Sequence, residues 1–186
     1  MQCPLTTAEA RSSVDRDVNV DADVELEETI RGLAPRVLRY AVARTGDAST
    51  GEDVAQESLE ALVRHWRQAG APESAEAFVF SIARRRAMRA IVRRRLWVPI
   101  ARAFHKRDGA PSPEMRVVSR AEHERTRAAL ARLPRADREA LLLVALGEMS
   151  SSEAALVLGL SVSALKMRVH RARKRLAAEL EGGHGH

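Results

Sequence analysis

Between Val24 and Arg44 the apolar positions Leu26, Ile30, Leu33, Val37, Tyr40 and Ala41 recur at spacings of three and four. That is the period of a helix with one buried face. Pro35 falls inside the run, so the helix starts, kinks or restarts there. Gly46 to Gly51 reads as a loop. A second helix is predicted from Glu52 to Gln68, with Val54, Leu59, Leu62, Val63 and Trp66 on its inner side. Gly70, Ala71 and Pro72 break the chain, and a third helix runs from Ala75 to Arg95. Residues 97–120 contain Pro99, Gly109, Pro111 and Pro113 with little periodicity and read as a flexible linker. A further helical stretch, Ala121 to Leu180, is punctuated at Pro134, Gly147 and Gly159. Residues 1–24 lack periodicity and are expected to be a disordered acidic tail; residues 182–186 form a short Gly/His tail. The fold class that follows is all-α, with two small helical domains at 25–96 and 121–181.

The second domain has a sharper local pattern. Ser150 and Glu153 have capping-box spacing, which starts a short helix with Ala154, Ala155 and Leu158 inward. Gly159 supplies a permissive backbone for a tight turn. Ser161 or Ser163 then caps a longer helix on which Val162, Leu165, Val169, Ala172 and Leu176 form one apolar stripe. Its other face holds Lys166, Arg168, His170, Arg171, Arg173, Lys174 and Arg175, and no acid occurs between Leu160 and Ala178. A short helix, a glycine turn and a long basic helix make the layout of a helix-turn-helix, whose second helix enters the major groove. Ser163, Ala164, Lys166, Met167, His170 and Arg171 are placed to meet base edges or the groove rim. Arg168, Arg173, Lys174 and Arg175 are placed to meet phosphates.

Composition sharpens this picture. The 186 residues are 45% hydrophobic but only 3% aromatic, so the cores must be aliphatic. The net charge of +6 favours a polyanionic partner. One cysteine, Cys3, rules out an internal disulfide framework. No apolar run approaches the ~18 residues of a membrane span, and no signal-peptide pattern opens the chain, so no membrane insertion and a cytoplasmic location are expected. Charge is also unevenly placed. On the second helix Asp53, Gln56, Glu57 and Glu60 fall at i, i+3, i+4 and i+7, an acidic stripe suited to a basic partner. The third helix carries Arg84, Arg85, Arg86, Arg89, Arg93, Arg94 and Arg95 without an intervening acid. Such density calls for a polyanion to neutralise it.

Two blocks together resemble the sigma-70 family, and its short extracytoplasmic-function (ECF) branch in particular. Leu133 to Val144, Ser152 to Ser161 and Leu165 to Leu176 resemble region 4, which reads the promoter's -35 element. Gly51 to Trp66 resembles region 2.2, and Phe78 to Met88 followed by Arg93 to Arg95 resembles regions 2.3 and 2.4. The resemblance implies that Asp53, Gln56, Glu57 and Glu60 dock on the clamp helices of the largest subunit of core RNA polymerase. It implies that Phe78, Arg84, Arg85, Arg86, Arg89, Arg93 and Arg94 engage and melt the -10 element of promoter DNA. A loop at 68–77 would then capture a flipped base. An anti-sigma factor is implied as a further partner. The chain departs from the family's frequent residues at Arg85 (Asn), Arg89 (Asp), Phe78 (Trp) and Met167 (Ser); the first two changes add positive charge.

Other constellations are weaker. His184 and His186 sit on a short tail, and His65, His105, His123 and His170 lack metal-ligand spacing, so no metal or cofactor is expected. Asp53 and Glu57 could share a face, but no His, metal motif or glycine-rich phosphate loop accompanies them, so the chain does not read as an enzyme. A free-standing helix-turn-helix regulator is the alternative function. The acidic stripe and the arginine-rich third helix argue against it, and no spare apolar stripe offers a dimer surface.

Overall fold

A computed structural model describes the backbone of residues 7–101 and 116–181, and the side-chain environments of 22–94 and 124–181. These residues form seven helices: α1 (Thr7–Thr45), α2 (Ala48–Ala69), α3 (Ala75–Ala101), α4 (Arg116–Arg132), α5 (Arg135–Ala145), α6 (Ser151–Leu158) and α7 (Val162–Glu181). Helices α1, α2 and α3 pack on one another as one bundle, and α4, α5, α6 and α7 form the second.

The helix boundaries depart from the sequence expectation in consistent directions. α1 begins at Thr7, so residues 7–24, expected to be a loose tail, are helical. Between Pro4 and Gly32 no glycine or proline interrupts the chain. A helix nucleated by the buried stripe at Leu26 and Leu33 therefore propagates backward at the cost of one residue per bond. α1 also runs straight through Pro35, which is exposed, so the carbonyl left unpaired there can meet water. The α1–α2 loop shrinks to Gly46 and Asp47, because Asp47 caps α2 by accepting from the Thr50 amide at 2.9 Å. Residues 97–101 and 116–120, expected to be linker, belong to α3 and α4. The remainder of the linker, the first six residues and the Gly/His tail lie outside the described residues.

Gly51 fixes the crossing of α1 and α2. A Cβ there would lie 2.6–2.7 Å from the side chain and backbone of Val42, so only glycine permits this approach. Around the crossing Val37, Tyr40, Ala41, Val54, Leu62, Val79, Phe80 and Ala83 are buried. The Phe80 ring meets Tyr40 edge-on, with centroids 5.5 Å apart.

The two bundles meet along a seam that combines apolar and charged contacts. A single hydrophobic cluster continues from α1–α3 into Leu133, Leu142, Leu143, Met149 and Ala154. At its centre the Tyr40 hydroxyl donates to Glu139 Oε1 at 2.5 Å, and Arg44 Nε donates to Glu139 Oε2 at 2.9 Å. The Arg44 and Glu139 side chains are only 3% and 7% exposed. Burial, then the nearby Glu139 charge, pushes the Tyr40 phenol well above its usual 10.0, so it stays a donor. One turn away Arg36 donates Nε to the Gly147 carbonyl at 2.9 Å and a terminal nitrogen to the Glu148 carbonyl at 3.1 Å. Its other terminal nitrogen meets Glu76 at 2.5 Å. Glu148 adopts a positive φ of 51°, and its carboxylate pairs with Arg39. Gly147 itself sits against Phe80, whose ring a Cβ would approach to 2.9 Å.

Two expectations follow. Glu139→Ala strands the Arg44 guanidinium in the seam and should cost about 3–5 kcal/mol, whereas replacing Arg44 and Glu139 together by apolar residues of similar volume should recover most of that loss. Chemical denaturation of the wild type, both single variants and the pair checks this. The second concerns acid. Burial alone would raise the Glu153 carboxyl, but hydrogen bonds from the Ser150 hydroxyl at 2.6 Å, the Ser150 amide at 3.2 Å and Ser74 hold it below the usual 4.5. A depressed folded-state value means the stabilisation is complete above the unfolded value and is lost as pH falls through the folded one. Thermal melts of the wild type should therefore lose ground on Glu153→Gln as pH drops below about 4.5. Curves for the two proteins that stay parallel into the acid range would remove this role from Glu153.

Candidate nucleic-acid interface

The helix-turn-helix is assembled by local hydrogen bonds. Ser150 accepts from the Glu153 amide, and Glu153 accepts from the Ser150 amide, so the capping box is complete. α6 ends at Gly159 in the left-handed conformation, φ 65° and ψ 41°. Ser161, rather than Ser163, caps α7 by accepting from the Ala164 amide at 3.2 Å. Leu165, Val169 and Ala172 are buried against α5 and α6, as the stripe requires, and Leu176 is half-buried. Val162 departs from the stripe: it is exposed in the first turn of α7. Leu158 is half-buried rather than enclosed, because it lines a cavity described below.

The outward face of α7 holds Ser163, Lys166, Met167, His170, Arg171, Arg173, Lys174 and Arg175, all exposed, with Ala164 half-buried at its edge. Met167 is 60% exposed, which leaves it open to contact with another apolar group. Asp137, buried in the first turn of α5, accepts from Arg175 at 2.9 Å and lies 4.0 Å from Arg171. Those two guanidiniums are thus oriented before any ligand arrives. Arg168 turns away from this face and lines the cavity between the bundles.

On the first bundle Asp53, Gln56, Glu57 and Glu60 are exposed along α2 as one stripe. Gln56 donates to Glu60 at 3.0 Å. Glu57, however, is engaged by Arg86 of α3. The acidic stripe and the arginine-rich helix are therefore neighbours: Thr50, Asp53, Glu57, Arg86, Arg89 and Arg93 line one open groove. Arg85, Arg89, Arg93 and Arg94 are exposed, and Arg84 and Arg86 are half-buried. Phe78 is half-buried with its ring tilted against His65, centroids 4.7 Å apart. The loop between α2 and α3 spans only residues 70–74. The sequence did not single out Asp137, Glu139, Arg44 or His65 for these roles. Each acts through a partner on another helix, which periodicity does not register. Among the described residues no group of three or more His, Cys, Asp or Glu could hold a metal ion, and no helix is long and apolar enough to cross a membrane.

Known proteins share this arrangement. The family model for Sigma-70 region 2 matches residues 29–96, and that for Sigma-70 region 4 matches residues 123–176. The chain is 33% identical over 182 residues to the ECF RNA polymerase sigma factor ShbA of Streptomyces griseus, covering 90% of this chain and 93% of that protein. It is 30% identical over 155 residues to the ECF RNA polymerase sigma factor EcfG of Rhodopseudomonas palustris, covering 83% and 84%. Two solved structures share the fold. One is CnrH in complex with the cytosolic domain of CnrY, with a TM-score of 0.65, 23% identity and coverage of 90% of this chain and 97% of that one. The other is the sigma factor RpoE with the anti-sigma factor NepR from Bartonella quintana, with a TM-score of 0.64, 21% identity and coverage of 84% and 97%. With region 2 and region 4 both matched in order, and relatives aligned over most of their length, the chain belongs to the sigma-70 family as an ECF RNA polymerase sigma factor.

Proposed function

We propose that this sigma factor divides promoter recognition between its two bundles, the first spanning residues 25–96 and the second 121–181. The exposed α2 stripe of Asp53, Gln56, Glu57 and Glu60 docks on the clamp helices of the largest polymerase subunit. α3 meets the -10 element through Phe78, Arg84, Arg85, Arg86, Arg89, Arg93 and Arg94. α7 reads the -35 element with Ser163, Ala164, Lys166, Met167, His170 and Arg171, and holds the backbone with Arg168, Arg173, Lys174 and Arg175. The observation that carries this reading is the outward face of α7. It is basic, presented by a capped helix-turn-helix, and partly pre-oriented through Asp137. The protein acts in the cytoplasm, where core polymerase is found. CnrH and RpoE were each solved with a bound partner, CnrY and the anti-sigma factor NepR. Their likeness to this chain supports an anti-sigma factor here too.

The overall reading is tested by adding the protein to bare core polymerase and scoring initiation across a promoter library. Failure to direct initiation from any promoter would overturn it. The docking face is tested separately. Asp53→Lys should weaken core binding by about tenfold while leaving helix content intact, since Asp53 is exposed. An unchanged affinity would remove the stripe from the docking surface. DNA reading should split within α7. Lys174→Ala should weaken binding to all sequences alike and lower the salt slope by about one unit. Lys166→Ala and Arg171→Ala should instead shift the selected motif, at about 1–3 kcal/mol for a bidentate base contact. Binding-site selection at fixed salt decides between them; a motif altered only by Lys174→Ala would mean that α7 sits in the groove rotated from this assignment.

A further inference from the structure

A cavity of about 570 Å³ lies between the bundles. Arg44 of α1 and Arg84, Arg85 and Arg89 of α3 form one wall, and Arg135 of α5 and Arg168 of α7 form the other. The cavity lining holds one carboxylate, Glu139, which already accepts from Tyr40 and Arg44, while Arg89 also borders the groove of Asp53 and Glu57. Arg84 Nε is buried without a hydrogen-bond partner, 4.0 Å from Glu139. Arg135 reaches only the sulfur of Met88. Arg85, Arg89 and Arg168 have no hydrogen-bond or ion-pair partner among the described residues. Converging like charges of this kind repel one another unless an anion sits between them.

Size and lining narrow the class of anion. The volume falls in the range of small-ligand pockets, ~300–1,000 Å³. A duplex, whose major groove alone is about 12 Å wide, does not fit. The remaining lining is apolar, from Met88, Ala136, Leu158 and Leu160. Guanidinium planes pair with phosphate oxygens and stack on flat rings. A wall that is cationic in one part and apolar in another suits a ligand with a phosphate chain and a base.

We propose that this cavity binds a nucleoside di- or triphosphate, which holds the two bundles together. Because the ligand touches both walls, it favours the closed arrangement by mass action. Because it occupies Arg85, Arg89 and Arg168, it competes with promoter DNA; this second consequence rests on the assignment of those residues to DNA, whereas binding itself does not. The test is calorimetric titration of the full chain at fixed, near-physiological salt with ATP, with inorganic tripolyphosphate and with adenosine. Saturable one-to-one binding of ATP is expected, with tripolyphosphate weaker and adenosine silent. Arg135→Ala, which lies outside the proposed DNA-reading set, should weaken ATP at least tenfold with an unchanged melting temperature in the absence of ligand. Arg168→Ala should do the same. Lys174→Ala, which removes the same charge from the outward face of α7, should leave ATP binding unchanged. A fluorescence-transfer pair with one label on α2 and the other on α7 should report a higher closed fraction as ATP is added. No saturable binding at millimolar ATP, equal losses for Lys174→Ala and Arg135→Ala, or tripolyphosphate binding as tightly as ATP would each overturn the proposal. ATP binding that leaves DNA affinity unchanged would overturn the competition, while the motif selections on the α7 variants report on the DNA assignment independently.

Discussion

The arrangement of the two bundles turns on the buried contact of Tyr40 and Arg44 with Glu139. An ion pair so little exposed contributes less to net stability than its geometry suggests, because both groups lose their water. What it supplies is specificity. Leaving either partner alone in the seam is costly, so the bundles meet in the register that satisfies all three groups. The contacts of Arg36 with Gly147, Glu148 and Glu76 fix the same register one turn away. A seam built this way also opens differently from an apolar one. When the bundles part, the charged groups regain hydration, so opening costs less than exposing an equal area of Leu and Val.

Arginine does three separate jobs in this chain. Arg36 and Arg44 are structural and hold the seam. Arg86 and Arg175 are tied to single acids, Glu57 and Asp137, which orient them and lower the entropy lost when they meet a partner. Arg85, Arg89 and Arg168 are held by no acid among the described residues. A net charge of +6 conceals this division, because it sums paired and unpaired arginines alike.

The helices were legible wherever one face is buried, since burial writes a period of three to four into the sequence. The α2 and α7 stripes, the capping box at Ser150 and the Gly159 turn were read from the residues alone. The start of α1 was not, because residues 7–24 have no apolar stripe; their helicity depends on a nucleus further along and on the absence of a breaker. Val162 was misplaced because a stripe predicts a face but not which of its positions become buried. The seam was invisible. Arg44 and Glu139 are 95 residues apart, and each looks, in its own helix, like an ordinary surface charge. Of the candidate site, the α2 stripe and the α7 face lie exposed where the sequence placed them. Arg168 and the pairing of Glu57 with Arg86 required three dimensions.

The position of Arg168 links recognition to the opening of the seam. Lys166, His170, Arg173 and Lys174 face solvent whether or not the bundles are together, so α7 can meet the outer surface of DNA in either arrangement. Arg168, one step round the same helix, faces the cavity, as do Arg84, Arg85 and Arg89 from the other bundle. If these residues read promoter DNA, a complete complex requires separated bundles, and the free energy of separation is subtracted from the affinity for DNA. The apparent dissociation constant rises in inverse proportion to the open fraction. Anything that binds only the separated form, as core polymerase docked along the proposed α2 stripe would, returns that energy to recognition. Such linkage would leave the free protein a weak DNA binder and the polymerase-bound one a strong one, without any change in the residues that touch the bases.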